Sequence, residues 1–233
     1  MSSESSPAPK TPGPVPDRFR TKDQIVYEEL RHWILTGQLA PGDPIDQERI
    51  AAALSVSRMP LRQALLRLEA DGLITTWPHR TATVAALSLA ELHELYDLRL
   101  ALEPMLAEAG APRLEKDDLA EMARLLTRME AANASGDLDQ FVELDRRFHH
   151  RVYAASGYRW GLEVVVRLRD ASDRYVYQFA AHDQGATRSC QEHRAILDAC
   201  LTGPPEAAKR LTGEHILGGR IAILETVKGQ VPE

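Results

Sequence analysis

Asp145 and His149 stand four residues apart in "LDQFVELDRRFHHRVYAASG", so on a helix both project from one face. Further along, His193 sits with Ile196 and Leu197, and His215 with Leu211 and Ile216, each at helical spacing. One carboxylate and three imidazoles facing the interior of a helical bundle suit zinc, nickel or another borderline divalent cation. The same spacing also describes core histidines satisfied by a carbonyl or a carboxylate. The residues alone leave both readings open. His150 points about 100° away from His149 and is set aside, and Glu192 is expected to point off the His193 face. Cys190 has no histidine placed to activate it. A metalloenzyme, in which the cation polarises a substrate or activates water, therefore has little support beyond the ligands themselves.

A second group carries charge instead of donors. "SVSRMPLRQALLRLEADGL", residues 55–73, puts Arg58 and Arg62 at the start of a helix whose Leu61, Ala64, Leu65 and Leu68 recur three and four apart. The helix dipole favours anions at that end, so the two guanidiniums can serve phosphates or the edge of a guanine. A solvated helix end is the plainer alternative.

The elements that must hold these groups fall into two halves. In the first, Thr21 is a plausible N-cap for a helix with Ile25, Leu30, Trp33 and Ile34 inward, and "APGDPI" breaks it. Asp46 caps a short second helix with Ile50, Ala51 and Leu54 inward. Ser57 can cap the third, Pro60 is tolerated in its first turn, and Asp71–Gly72 stops it. "LITTW" and "TATVAAL", joined by "PHR", read as a hairpin with His79 and Arg80 at its tip. Two short helices, a tight turn and a hairpin are the parts of a winged helix-turn-helix, whose second helix enters the major groove.

From Ser88 onward the pattern is helical throughout. Ser88 and Glu91 make a capping box, Ser135–Gly136 is a stop, and Pro205 starts the last of six helices. Six helices over about 140 residues favour an antiparallel bundle. The expected fold is mainly α, a winged helix-turn-helix over 21–87 followed by a helical bundle over 88–230. Residues 1–20, rich in Ser and Pro, are expected to be a disordered tail.

"IAAALSVSRMPLRQALLRLEADGLI" closely resembles the DNA-binding domain of GntR-family bacterial transcription regulators, over about Asp23 to Leu87. The resemblance implies DNA contact by Ser57, Arg58, Arg62, His79 and Arg80. Glu48 stands where some members carry a DNA-contacting arginine, so no contact is transferred there. Arg80 is followed by Thr81 where the wing usually has Gly.

The second half, with "LYDLRLALEP", "DRRFHHRVYAASG", "QEHRAILDAC" and "GEH", resembles the FCD ligand-binding domain of the FadR-type branch, in its six-helix, VanR-like variety. Tyr158 stands where an Asn is common. The resemblance implies a divalent metal on Asp145, His149, His193 and His215, and a small carboxylate effector assisted by Arg99. It also implies a homodimer on a near-palindromic DNA operator, acting as a repressor released by its ligand. A metal-free regulator, with the histidines and Arg99 pairing with the effector, remains the first alternative. A metalloenzyme tethered by a DNA-binding domain is the second.

Bulk numbers agree with this division. The net charge is −6, yet residues 17–85 hold nine basic and nine acidic side chains, while residues 86–233 hold 18 and 24. An acidic second half can coexist with a locally positive reading face. Apolar residues make up 44% and charged residues 27%, as in ordinary globular proteins. No apolar run approaches the roughly 20 residues of a membrane span, and the first residues lack the hydrophobic stretch of a secretory signal. Cys190 and Cys200, about 15 Å apart on one helix, cannot pair there. The expected setting is a reduced cytoplasm.

Overall fold

The computed structural model describes residues 21–76, 81–180 and 185–227. The expected tail over 1–20 and the hairpin tip with His79 and Arg80 lie outside the described residues.

The first half is built from α1 (Lys22–Leu35), α2 (Gln47–Ala53) and α3 (Arg58–Ala70), then β1 (Ile74–Thr75) and β2 (Thr83–Val84). Asp46 caps α2 by accepting from the Glu48 and Arg49 amides. Ser57 occupies the N-cap of α3 without a side-chain capping bond. Ser55, at φ 53°, makes the tight turn between α2 and α3, and Gly72, at φ 70°, ends α3. Leu61, Ala64, Leu65 and Leu68 all face the core, against Val26, Tyr27, Leu30 and Ile34 of α1. That stripe leaves Ile25 on the outer side, 45% exposed, which corrects its expected inward place.

Among the described residues, the hairpin pairs Ile74 with Val84 and Thr75 with Thr83, antiparallel. The other side of β2 is taken by the proline-rich connection after α1. The Gly42 amide donates to the Val84 carbonyl, the Val84 amide to Asp43, and the Ile45 amide to Ala82, at 2.7–2.9 Å. The segment expected only to break a helix thus forms an edge of the wing, where a proline costs no ladder bond.

The second half contains α4 (Leu89–Gly110), a single 3-10 turn (Ala111–Arg113), α5 (Lys116–Ser135), α6 (Leu138–Ala155), α7 (Arg159–Ala180), α8 (Gly185–Thr202) and α9 (Pro205–Val227). Among the described residues, these are the six helices expected. Ser88 accepts from the Glu91 amide, and Gly136, at φ 72°, ends α5. α4 packs on α9, α7 and α6, and α8 packs on α5 and α9. At the end of α4, a Cβ on Gly110 would sit 2.0 Å from the Val152 carbonyl oxygen, so glycine alone permits this approach to α6. Cys190 and Cys200 share α8 as free thiols.

The two halves meet along α7. Arg31 of α1 pairs with Asp173, and Arg174 donates to the Gly72 carbonyl at 3.0 Å. Beside them, within the second half, Tyr175 donates to the Ser88 carbonyl at 3.1 Å. Among the described residues, no helix is long and apolar enough to cross a membrane.

Candidate metal centre and reading face

α6 carries Asp145 and His149, α8 carries His193 and α9 carries His215. The structure brings all four together, with one ligand atom from each within 4.8 Å of the others. The Nε2 atoms of His149 and His193 face each other at 2.9 Å. Asp145 Oδ1 lies 3.0 Å from His193 Nε2 and 3.6 Å from His149 Nε2. Phe148 packs its edge against both rings and helps to bury them.

Every imidazole is fixed from behind. Ser189's carbonyl lies 2.6 Å from His193 Nδ1, and Glu192 Oε2 lies 2.7 Å from His215 Nδ1. Tyr153 gives its hydroxyl proton to Glu103 at 2.7 Å, so its oxygen accepts from His149 Nδ1 at 3.2 Å. These partners all accept, so each ring keeps its proton on Nδ1 and leaves the Nε2 lone pair free. Burial and the nearby Arg169 charge hold the His149 imidazole well below its usual value; burial, against Glu192, also lowers that of His215.

Two bare Nε2 lone pairs at 2.9 Å repel each other unless a cation lies between. Three imidazole nitrogens and one carboxylate oxygen, all within 4.8 Å of one another, are the donor types that would hold such a cation. The donor set therefore fits a divalent cation.

Asp145 uses its other oxygen differently: Oδ2 accepts from Arg169 Nη2 at 2.5 Å. Burial alone would raise this carboxyl, but Arg169 and the histidines outweigh it and hold it well below the carboxylate range. Arg169 also reaches Glu103 at 2.9 Å, and its buried Nε has no hydrogen-bond partner. Glu103 is fully buried, and its second oxygen accepts from Arg99 Nε at 2.5 Å. Burial opposes ionisation of Glu103, yet Arg99 and Arg169 keep its carboxyl below the usual value.

Arg99 is thus buried and pinned, with its guanidinium over the Tyr96 ring. It lines a cavity of about 60 Å³ together with Tyr96, Asp145, Arg169, Asp173 and His215. A larger cavity of about 520 Å³ reaches Tyr153 and Arg169 from elsewhere and touches none of the four candidate ligands.

The supporting groups were largely missed in the sequence. Glu103 is four residues from Arg99, a spacing that could have revealed the pair. Tyr153, four residues after His149, carried the same spacing toward the cluster, whereas Arg169 gave no such signal. Glu192 corrects the expectation that it points away: α8 and α9 pack so that it reaches His215 on the neighbouring helix.

At the other end of the molecule, Arg58 and Arg62 are both exposed at the start of α3, and Ser57 beside them is exposed too. Arg58 donates to Glu48 at 3.0 Å, across the α2–α3 turn. The acidic residue at the exceptional position therefore touches a residue expected to contact DNA.

Comparison with known proteins agrees with both halves. Residues 22–84 match the bacterial regulatory proteins of the gntR family, and residues 94–218 match the FCD domain. The HTH-type transcriptional repressor RspR of Escherichia coli K12 is 26% identical over 194 residues, 83% of this chain and 85% of that protein. The HTH-type transcriptional regulator McbR of the same strain is 28% identical over 202 residues, 85% of this chain and 90% of that protein. The solved structure of E. coli McbR/YncC superposes with a TM-score of 0.76 at 23% identity, covering 89% of this chain and 99% of that one. A GntR regulator from Rhodococcus sp. RHA1 gives 0.74 at 22% identity, covering 91% and 99%. The chain belongs to the GntR family with an FCD domain, and is a DNA-binding transcriptional regulator rather than an enzyme.

Proposed function

We propose that the chain is a ligand-responsive repressor that binds a divalent cation, zinc or nickel, through Asp145, His149, His193 and His215, and is released from DNA by a small carboxylate effector. The observation that carries this reading is the fixing of all three Nδ1 atoms by oxygen acceptors, which leaves three imidazole lone pairs beside one carboxylate. Such outer partners raise the basicity of histidine ligands and hold their orientation. A bound cation supplies a Lewis-acid anchor for the effector's carboxylate.

The chain's own residues complete the pocket. Arg99 and Arg169 bring two positive charges to the small cavity beside Asp145 and His215. About 60 Å³ for water-sized groups admits a small anion, not a bulky one. Glu103 holds both arginines in place and offsets part of their charge, so that an entering anion meets donors already oriented.

On the DNA side, Ser57, Arg58, Arg62, His79 and Arg80 make the contacts, from a reading domain at 21–87 borne on an effector domain at 88–230. The exposed arginines at the start of α3 support that placement. Two copies form a homodimer in the cytoplasm, and its two-fold symmetry calls for a near-palindromic operator. The repressor name of RspR supports the sign of regulation.

Metal content per chain of untagged protein, purified without chelator, tests the site. We expect near one divalent cation per chain, lost in His193→Ala and His215→Ala. No uptake after exposure to zinc and nickel would overturn the metal reading and leave Arg99 and Arg169 as the effector's anchors.

A further inference from the structure

We infer that Asp173 is a positioning residue through which the cluster on α6 sets the orientation of the DNA-reading domain. The inference rests on reading that cluster as the effector site.

Three helices converge on this one carboxylate. Asp173 lies on α7, one turn after Arg169, so the two project from the same face. Arg169 grips Asp145, while the residue after Asp145, Arg146, pairs with Asp173 and also with Asp170 at 2.7 Å. α6 and α7 are therefore joined twice, once at the cluster and once a turn nearer the reading domain. Arg31 of α1 then binds the same oxygen of Asp173 that Arg146 binds. The Asp173 side chain is 5% exposed, so a nearly buried charge is divided between an arginine of the effector domain and an arginine of the reading domain.

Asp173 also stands in the wall of the small cavity beside Asp145 and His215. An anion held there repels the Asp173 carboxylate and competes for the guanidiniums around it. A cation on Asp145 Oδ1 drains charge from the carboxylate that holds Arg169. Either event changes how firmly Asp173 holds Arg31. The neighbouring residue, Arg174, holds the Gly72 carbonyl just after the reading helix, and also pairs with Glu91. Consecutive residues of α7 thus grip the reading domain at two points, one on α1 and one behind α3. Effector binding must favour one arrangement of the reading domain over another to alter DNA affinity, and here the two arrangements differ in the Arg31–Asp173 pair.

A double-mutant cycle on the full-length dimer decides this. Asp145→Asn, Arg31→Gln and the double variant are compared with the unmodified protein for affinity to one operator duplex, selected beforehand from random DNA. Coupled sites change each other's affinities by about 5- to 150-fold, so the double variant should depart from the product of the single effects by about fivefold or more. Agreement within about twofold, as for independent distant sites, would overturn the inference. Melting temperatures are measured alongside, and affinities are compared at a temperature where all four proteins are fully folded, because partial unfolding of the double variant would itself make the cycle non-additive. If Asp145→Asn does not fold, His215→Gln replaces it, and Asp173→Asn can stand in for Arg31→Gln.

Zinc titration of the same proteins separates this inference from the site reading. Zinc uptake with an additive cycle removes Asp173's role and leaves the site. Absence of zinc uptake removes the metal, and the additivity of the cycle then decides Asp173's role independently.

Discussion

His149 and His193 present their Nε2 atoms to one another at 2.9 Å, with each Nδ1 facing an oxygen acceptor. In the absence of a cation this contact sets lone pair against lone pair.

Zinc should therefore raise thermal stability. At a free concentration about a hundredfold above Kd, binding to the folded state contributes about 2.7 kcal/mol. For a chain of this size that corresponds to a rise of about 5–10 °C in Tm. Thermal melts with zinc and after chelation measure it. His149→Ala should melt at one temperature in both conditions; a zinc response surviving in that variant would show that the ion binds elsewhere.

Glu192→Gln should weaken the metal without unfolding the protein. Glu192 sits behind His215 and is partly exposed, so the fold does not depend on it. Loss of such an outer partner typically costs 10- to 100-fold in metal affinity. Competition with a chromophoric chelator gives the ratio, and an unchanged affinity would mean that Glu192 does not orient His215.

Acid should destabilise the metal-free protein in two stages. His149 and His215 have folded values below the ordinary 6.5, so the unfolded chain binds more protons once pH falls below that point. Their neutral burial thus contributes stability above pH 6.5 that is lost as pH falls toward their folded values. Asp145 and Glu103, lowered from 3.8 and 4.5, add a second loss below about pH 4.5 with the same sign. Urea midpoints at pH 7.5, 5.5 and 4.0 should fall in that order. A midpoint that is flat from 7.5 to 5.5 would contradict neutral burial of the histidines.

At the reading face, Arg62→Ala should cost about 1–3 kcal/mol in operator binding, the scale of one guanidinium–base contact. Helix content should stay unchanged. Glu48→Gln should act the other way, tightening binding by about two- to fivefold, the scale of an exposed charge pair, because it releases Arg58 and removes a negative charge from the face. Binding should also weaken steeply with added salt as phosphate counterions are released. Fluorescence anisotropy on one operator at two salt concentrations tests all three. Unchanged affinity in Arg62→Ala would place the reading surface elsewhere.

Gly110→Ala should be among the more damaging single substitutions. The added methyl meets the backbone of α6, which cannot turn aside as a flexible side chain would. A cost of about 1–3 kcal/mol is expected from overpacking, visible as a lower urea midpoint. A neutral result would mean that α4 and α6 can part at this end.

Much of this was legible in the sequence because it is local. Caps at Asp46 and Ser88, stops at Gly72 and Gly136, and the Leu61–Leu68 stripe of α3 each act within a turn or two of chain. The four clustered donors could be named because they match a family pattern; spacing alone left a metal and a satisfied core both open. What was not legible depends on helices meeting. Glu192 reaches across to another helix, Arg169 is 24 residues from Asp145, and Ile25 stands just outside the arc of Val26, Tyr27, Leu30 and Ile34 that faces the core. The edge formed by Gly42–Ile45 was hidden for another reason: Pro and Gly signal a break, and nothing local says that the broken segment then pairs with a strand.

That edge has a consequence for the DNA sequence itself. Hydrogen bonds on both sides of β2 stitch the wing to the connection that leads into α2 and α3. If the reading helix and the wing touch DNA as proposed, the distance between their contacts is therefore a fixed dimension, like the pitch of a screw. In the proposed homodimer, the gap between the two copies' footprints would have no such stitching, only the grip of α7. Operators should consequently tolerate an altered spacer between half-sites better than an inserted base pair within one.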